Sequence, residues 1–238
     1  MNQEWAVVAG ASGALGTVIS ESLSERGFSV LGLARHPGAG LIEVDLTDDT
    51  SVAAVGDHVS GPVRIVVHVA GPPLAGGIAD VDPQSVLAAV DIKVNGLLRL
   101  VRAVDRHFVP GSRIVAVTGN LGYDPIPASV TAGVANAALA ALVRQLARAY
   151  GPRGITCHAV APGPVDSPRV DRLVEHVAIS ADVTSEEARS RLLAEASVGR
   201  FATPQDVAWA VSLLLDDAAT VMNGSTLFLD GGRRTAIP

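Results

Sequence analysis

The chain has 238 residues, enough for one substantial α/β core. A net charge of −6 argues against a nucleic-acid partner, because neutralising phosphates needs a basic face, and a single cysteine, Cys157, excludes an intramolecular disulfide or a thiolate metal cluster. No apolar run approaches the roughly 20 residues of a membrane span, and the first residues carry no basic leader region, so the expectation is a cytoplasmic protein with no membrane partner.

Taken in chain order, apolar runs of strand length alternate with segments of helical period. Trp5–Ala9 reads as a strand and Ala14–Arg26 as a helix closed by Gly27. Phe28–Ala34 and Leu41–Val44 read as strands, and Asp48–Val59 as a helix capped by Thr47 or Asp48. Arg64–Val69 is a continuous apolar strand. Asp82-Pro83 starts a helix, with proline at its first position, that the pattern carries to about Phe108. Arg113–Thr118 is a strand, Ser129–Tyr150 a long Ala-rich helix, and Ile155–Val160 a strand. Thr203-Pro204 opens a helix through Leu215, and Ser225–Leu229 is the last strand.

Aromatic residues make up only 3 %, so the core must come from Val, Leu, Ile and Ala, which suits a parallel sheet buried on both faces. The expectation is an α/β fold: one doubly wound Rossmann-type domain over residues 1–238, with helices on both faces of a parallel sheet. Ala161–Gly199 reads as a loop with two short helices, and 161–199 is where a substrate lid belongs. The six histidines show no ligand spacing with carboxylates, so no metal site is expected.

The run Gly10-Ala11-Ser12-Gly13-Ala14-Leu15-Gly16 follows a strand and opens a helix. In that context glycines let the backbone turn and approach a pyrophosphate, whose charge meets the helix N-terminus. The second strand ends Gly32-Leu33-Ala34-Arg35-His36, with no carboxylate to bind a ribose 2′-hydroxyl. Arg35 can instead pair bidentately with a 2′-phosphate, which favours NADP(H) over NAD(H). Asp45, at a strand end, either meets the adenine edge or caps a helix.

With these pieces the chain resembles the short-chain dehydrogenase/reductase family over essentially its whole length. The matching motifs are the Gly run, Asp45-Leu46, Ala70-Gly71, Ala159-Val160-Ala161-Pro162-Gly163, and the tail from Gly199-Arg200 and Thr203-Pro204 through Asn223-Gly224 to Asp230-Gly231-Gly232. The resemblance implies assembly as a homotetramer or homodimer and a small-molecule substrate. It also places Ser12, Leu15, Leu46, Ala70, Gly71, Pro162 and Gly163 around the cofactor, with the Val165 backbone and the Ser167 hydroxyl on its carboxamide.

Registered on Asn136-Ala137-Ala138-Leu139, the family's Tyr and Lys fall on Ala132 and Asn136. Its Ser falls on Gly119 and its helical Asn on Lys93. The usual Asn-Asn-Ala-Gly is here His68-Val69-Ala70-Gly71. The resemblance is thus to an atypical member lacking the Ser/Tyr/Lys set.

Seventeen of the 18 basic residues are arginine, and Lys93 is the sole lysine. Lys93 is one candidate to take over, by acid/base work or a Schiff base. Its alternative role is to fill the cavity and bind a backbone carbonyl or a ribose hydroxyl. Tyr123, after the fifth strand, is a second candidate proton donor, or else a packing residue. His68 reads as a structural histidine near the adenosine side and His158 as a core residue, while Asp166 faces substrate or caps a helix. The function expected is NADP(H)-dependent reduction of an activated acceptor, an imine or a conjugated carbonyl. A non-redox cyclase, isomerase or lyase and a silent NADP-binding pseudoenzyme are the alternatives.

Overall fold

Seven strands form one parallel sheet in the order β3-β2-β1-β4-β5-β6-β7, in a computed structural model that describes residues 3–71 and 76–235. The strands are β1 (Trp5–Ala9), β2 (Ser29–Ala34), β3 (Ile42–Glu43), β4 (Val63–His68), β5 (Phe108–Val117), β6 (Thr156–Pro162) and β7 (Thr226–Leu229). The helices are α1 (Ala14–Glu25), α2 (Asp49–Ala53), α3 (Pro83–Val90), α4 (Gly96–Val104), α5 (Val130–Tyr150), α6 (Pro168–Ala181), α7 (Ser185–Ala194) and α8 (Pro204–Leu213).

Alternate residues of each central strand feed opposite faces. Val7 and Val66 pack with Leu97, Leu100, Leu139 and Val143 beneath α4 and α5. Val8, Val67 and Val115 pack with Ile19, Leu23, Val207 and Val211 beneath α1 and α8. The order of strands reverses between β1 and β4, which opens a crevice at their C-terminal ends. Helix α5, continued through Arg153, is long and apolar enough to cross a bilayer. Its Leu139, Val143, Leu146 and Ala147 are nevertheless buried against the sheet, the pattern of a core helix.

The expected helix to Phe108 is broken. α3 stops at Val90, a π turn occupies Asp91–Asn95, and α4 follows. Asp91 accepts from Asn95 Nδ2 at 2.8 Å and from Arg99 at 2.9 Å, side-chain bonds that brace the widened turn. β5 begins at Phe108 rather than Arg113, because Ser112 Oγ accepts from the Val109 amide and donates to the Val63 carbonyl, tying that segment to β4. Asp48 caps α2, which tightens into a 3-10 turn over Ala54–His58 instead of continuing as α-helix. The two expected short helices of 161–199 are the 14-residue α6 and the 10-residue α7, with a small core of their own around Val174, Leu192 and Phe201.

Arg113 lies on β5 at 1 % exposure. Its guanidinium donates to the carbonyls of Leu214 at 2.8 Å and Gly111 at 2.9 Å, and to Thr220 Oγ1 at 3.3 Å, fastening β5 to the end of α8. Arg113→Met leaves those buried carbonyls without a donor. The expected loss is about 3 kcal/mol, or about 6–12 °C in Tm for a domain of this size. A shift under about 2 °C in a thermal melt would show that the guanidinium is not the fastening.

Candidate active site

The site is built where β1, α1 and β4 come together. Gly10 has φ +92°, and a Cβ there would stand 2.7 Å from the Ala70 nitrogen. A Cβ on Gly16 would collide with the Gly10 carbonyl and stand 2.8 Å from the Ala11 Cα. Both glycines are therefore steric necessities. Gly13 differs: its nearest neighbour would be the Gly10 carbonyl at an ordinary 3.4 Å. Gly13 and Ser12 are exposed, and Gly13 caps α1 with no side-chain bond, so the first-turn amides of α1 are left for an anion. Leu15 packs on the α1 side of the core. An open cradle at an uncapped helix start fits a pyrophosphate.

β2 ends at Ala34, and Arg35 follows it, exposed. Asp45 is not the cap of α2. Its Oδ1 accepts from the Thr47 amide at 2.9 Å and the Thr47 hydroxyl at 2.7 Å, closing a local turn. Those bonds, and then the charge of Arg35 against some burial, hold its carboxyl below the usual range. Leu46 is buried, and its carbonyl accepts from Arg99, which also pairs with Asp49 and Asp91. Arg99 thus clamps the start of α2 to the π turn.

That π turn carries Lys93, which is 9 % exposed. Its Nζ donates to the Val117 carbonyl at 3.2 Å, at the end of β5. A Cβ on Gly71 would stand 3.1 Å from Lys93 Cε, so the ammonium lies between the ends of β4 and β5. Burial, and then the Arg169 charge, push its pKa down to about 8. His68 is fully buried beside Lys93 rather than on the adenosine side. Burial first and Lys93 second lower its pKa to about 3, so it stays neutral. His158 is a core residue whose Nε2 meets Thr156 Oγ1 at 2.9 Å.

Gly119 and Asn136 are buried together: a Cβ on Gly119 would stand 2.8 Å from Asn136 Nδ2. The Asn136 Oδ1 is buried without a hydrogen-bond partner. Ala132 lies half-buried one turn earlier on α5. Tyr123 does not join this group. Its hydroxyl bonds Thr226 Oγ1 on β7 at 2.7 Å, and its ring packs edge-on against Phe228. β7 is two strand spacings from β5, about 10 Å from where Lys93 is anchored. The two catalytic candidates are not brought together.

Beyond β6, Pro162 is buried, and the Gly163 amide bonds the Leu229 carbonyl at 3.1 Å. Val165 bridges to Ala202, and the Ser167 hydroxyl donates to the Val165 carbonyl at 3.1 Å. Asp166 neither faces the cleft nor caps α6, whose N-cap is Ser167; it pairs with Arg189 of α7 at 2.9 Å. Sequence reading passed over Arg169 and Arg99. The signal for Arg169 was its place two residues past Ser167 at a helix start.

A family model described as enoyl-(acyl carrier protein) reductase matches residues 5–234. The chain is 32 % identical to a cis-4-hydroxycyclohexanecarboxylate dehydrogenase of Sinomonas cyclohexanicum, with 95 % of each chain covered. It is 29 % identical to the 3-oxoacyl-[acyl-carrier-protein] reductase FabG of Pseudomonas aeruginosa, covering 95 % of this chain and 96 % of that one. Among solved structures, an actinorhodin polyketide ketoreductase with NADPH superposes with a TM-score of 0.89 at 25 % identity, over 99 % of this chain and 98 % of that one.

The three glycines make separable predictions. Gly10→Ala and Gly16→Ala are each expected to cost about 2–4 kcal/mol by forcing backbone apart. Gly13→Ala is expected to leave stability within about 0.5 kcal/mol. Denaturant unfolding of the three variants checks this; equal losses at all three would mean that Gly13 is also a packing position.

Proposed function

The chain belongs to the short-chain dehydrogenase/reductase family, and we propose that it is an NADP(H)-dependent oxidoreductase whose acceptor is already activated, an imine or a conjugated carbonyl. One observation carries the reading: the cradle is intact while the neighbouring floor holds a desolvated ammonium. Gly10, Gly16 and Ala70 close the turn tightly, and Gly13 with the α1 amides stays open to a diphosphate. Arg35, exposed at the end of β2, supports a 2′-phosphate and hence NADP(H). Ala70, Gly71, Pro162, Gly163, Val165 and Ser167 line the remaining path to the ends of β4 and β6. Asp45-Leu46 stands at the adenine end. When bound, the nicotinamide nucleotide supplies or accepts the hydride.

The residues at the floor then limit the acceptor. Gly119, Ala132 and Asn136 carry no titrating proton. A positioned general acid is worth about 10²–10⁴-fold, so an acceptor that needs one reacts poorly here. An iminium already bears its charge, and a conjugated carbonyl delocalises it. Lys93, protonated at neutral pH, supplies positive charge where negative charge develops and can give up a proton at Nζ. Its bond to the Val117 carbonyl and the neutral His68 beneath it hold the ammonium in place. Tyr123, held on β7, takes no part in this scheme.

Two outcomes are expected. Arg35→Ala weakens NADPH binding tenfold or more, on the order of one charge-assisted pair, and leaves NADH within about twofold. Calorimetry checks this; an equal loss for both nucleotides removes the phosphate assignment. The second concerns pH. Lys93 is charged below about 8, so kcat/KM for reduction falls as pH rises through that value. Lys93→Met flattens that limb, and an unchanged profile in the variant assigns the titration to another group.

A further inference from the structure

Arg169 is the second residue of α6, directly after the loop that leaves β6. It reaches solvent, yet enough protein surrounds the guanidinium that desolvation lowers its pKa, the mark of a side chain lining a cleft. Its charge acts on Lys93, anchored at the end of the adjacent strand β5. Arg172, one turn on along α6, adds a third positive charge that acts on Arg169. The carboxylates on either side along the chain, Asp166 and Asp171, are both drawn onto Arg189 of α7, at 2.9 and 3.4 Å. α6 also starts with no side-chain cap from Ser167, which leaves its positive dipole end unneutralised. Like charges gathered in one cleft repel, and a bound anion relieves that repulsion.

We propose that Arg169, with Lys93 opposite, binds an oxyanion of the substrate, a carboxylate or a phosphate, at the C-terminal edge of β5 and β6. This rests on the cleft being the reductase site. A guanidinium fork suits such a group because it donates two parallel bonds. The other source of an anion is the cofactor diphosphate. Its cradle is at Gly13 on β1–α1, two strands from β5 in the sheet order, so the pair at β5–β6 is left for the substrate.

The test measures binding of benzoate and glycerol 3-phosphate, with benzamide as the neutral control, by calorimetry. Wild type, Arg169→Ala and Arg169→Lys are compared, each cofactor-free and saturated with NADP⁺, and NADP⁺ affinity is measured for each. Arg169 is exposed, so both variants should melt like wild type. The proposal expects at least one anion to bind wild type, to weaken about tenfold to a hundredfold in Arg169→Ala, and to be partly restored by lysine, with benzamide indifferent and NADP⁺ changed less than about threefold. Anion affinity independent of residue 169, or no anion binding at all, overturns it. A tenfold loss of NADP⁺ affinity in Arg169→Ala also overturns it, by assigning the guanidinium to the diphosphate. Failure of wild type to bind NADP⁺ removes the reductase reading alone, since the cofactor-free arm still decides the anion subsite.

Discussion

The site depends on how closely three pieces of backbone approach one another. β1, the start of α1 and the end of β4 converge on Gly10, and van der Waals contact there leaves no volume for a Cβ on Gly10 or Gly16. That convergence aims the first turn of α1 into the crevice where the strand order reverses. It also fixes Ala70 and Gly71 at the crevice wall. The hydrophobic layers on each face, Val7 and Val66 on one and Val8 and Val67 on the other, hold the strands in that relation.

Lys93 is the second constraint, and it comes from a defect in a helix. A regular helix through Asp91–Asn95 would satisfy its own backbone without help. The π turn needs the Asp91–Asn95 and Asp91–Arg99 bonds, and Arg99 in turn reaches Asp49 and the Leu46 carbonyl. The segment that contributes the ammonium is thereby tied to the segment that carries Asp45. An ammonium out of water with one carbonyl partner is poorly solvated, which is why its pKa falls. Positive charge held in a low-dielectric cleft acts more strongly on a reacting group than the same charge in water. The neutral His68 beneath it adds no competing charge.

The segment after β6 closes the cleft from the other side. Val165 is fixed to Ala202, Asp166 to Arg189, and Arg189 also lies over the Phe201 ring at 5.3 Å. α6 and α7 therefore carry their own small core and are joined to the cleft at the loop that ends in Ser167. Under the proposed reductase reading, this is the part of the molecule where substrate specificity is set. It is also where a positive side chain, Arg169, enters the cleft.

The sequence by itself determined the alternation of elements, the parallel sheet, the Gly run and its context, and the capping of α8 by Thr203. These are local matters: apolar period, glycine where a Cβ collides, a hydroxyl at a helix start. It also singled out Lys93, because one lysine among seventeen arginines is conspicuous in a bare chain. Only the tertiary structure decided what long-range contacts decide. It broke the expected helix at Asp91, since Arg99 and Leu46 are distant in sequence from the turn they brace. It turned the Tyr123 hydroxyl onto Thr226, 103 residues away. It drew Asp166 out of the cleft onto Arg189 and set Arg169 near Lys93. Period and motif report on neighbours along the chain; which charges share one cleft is settled by packing across it.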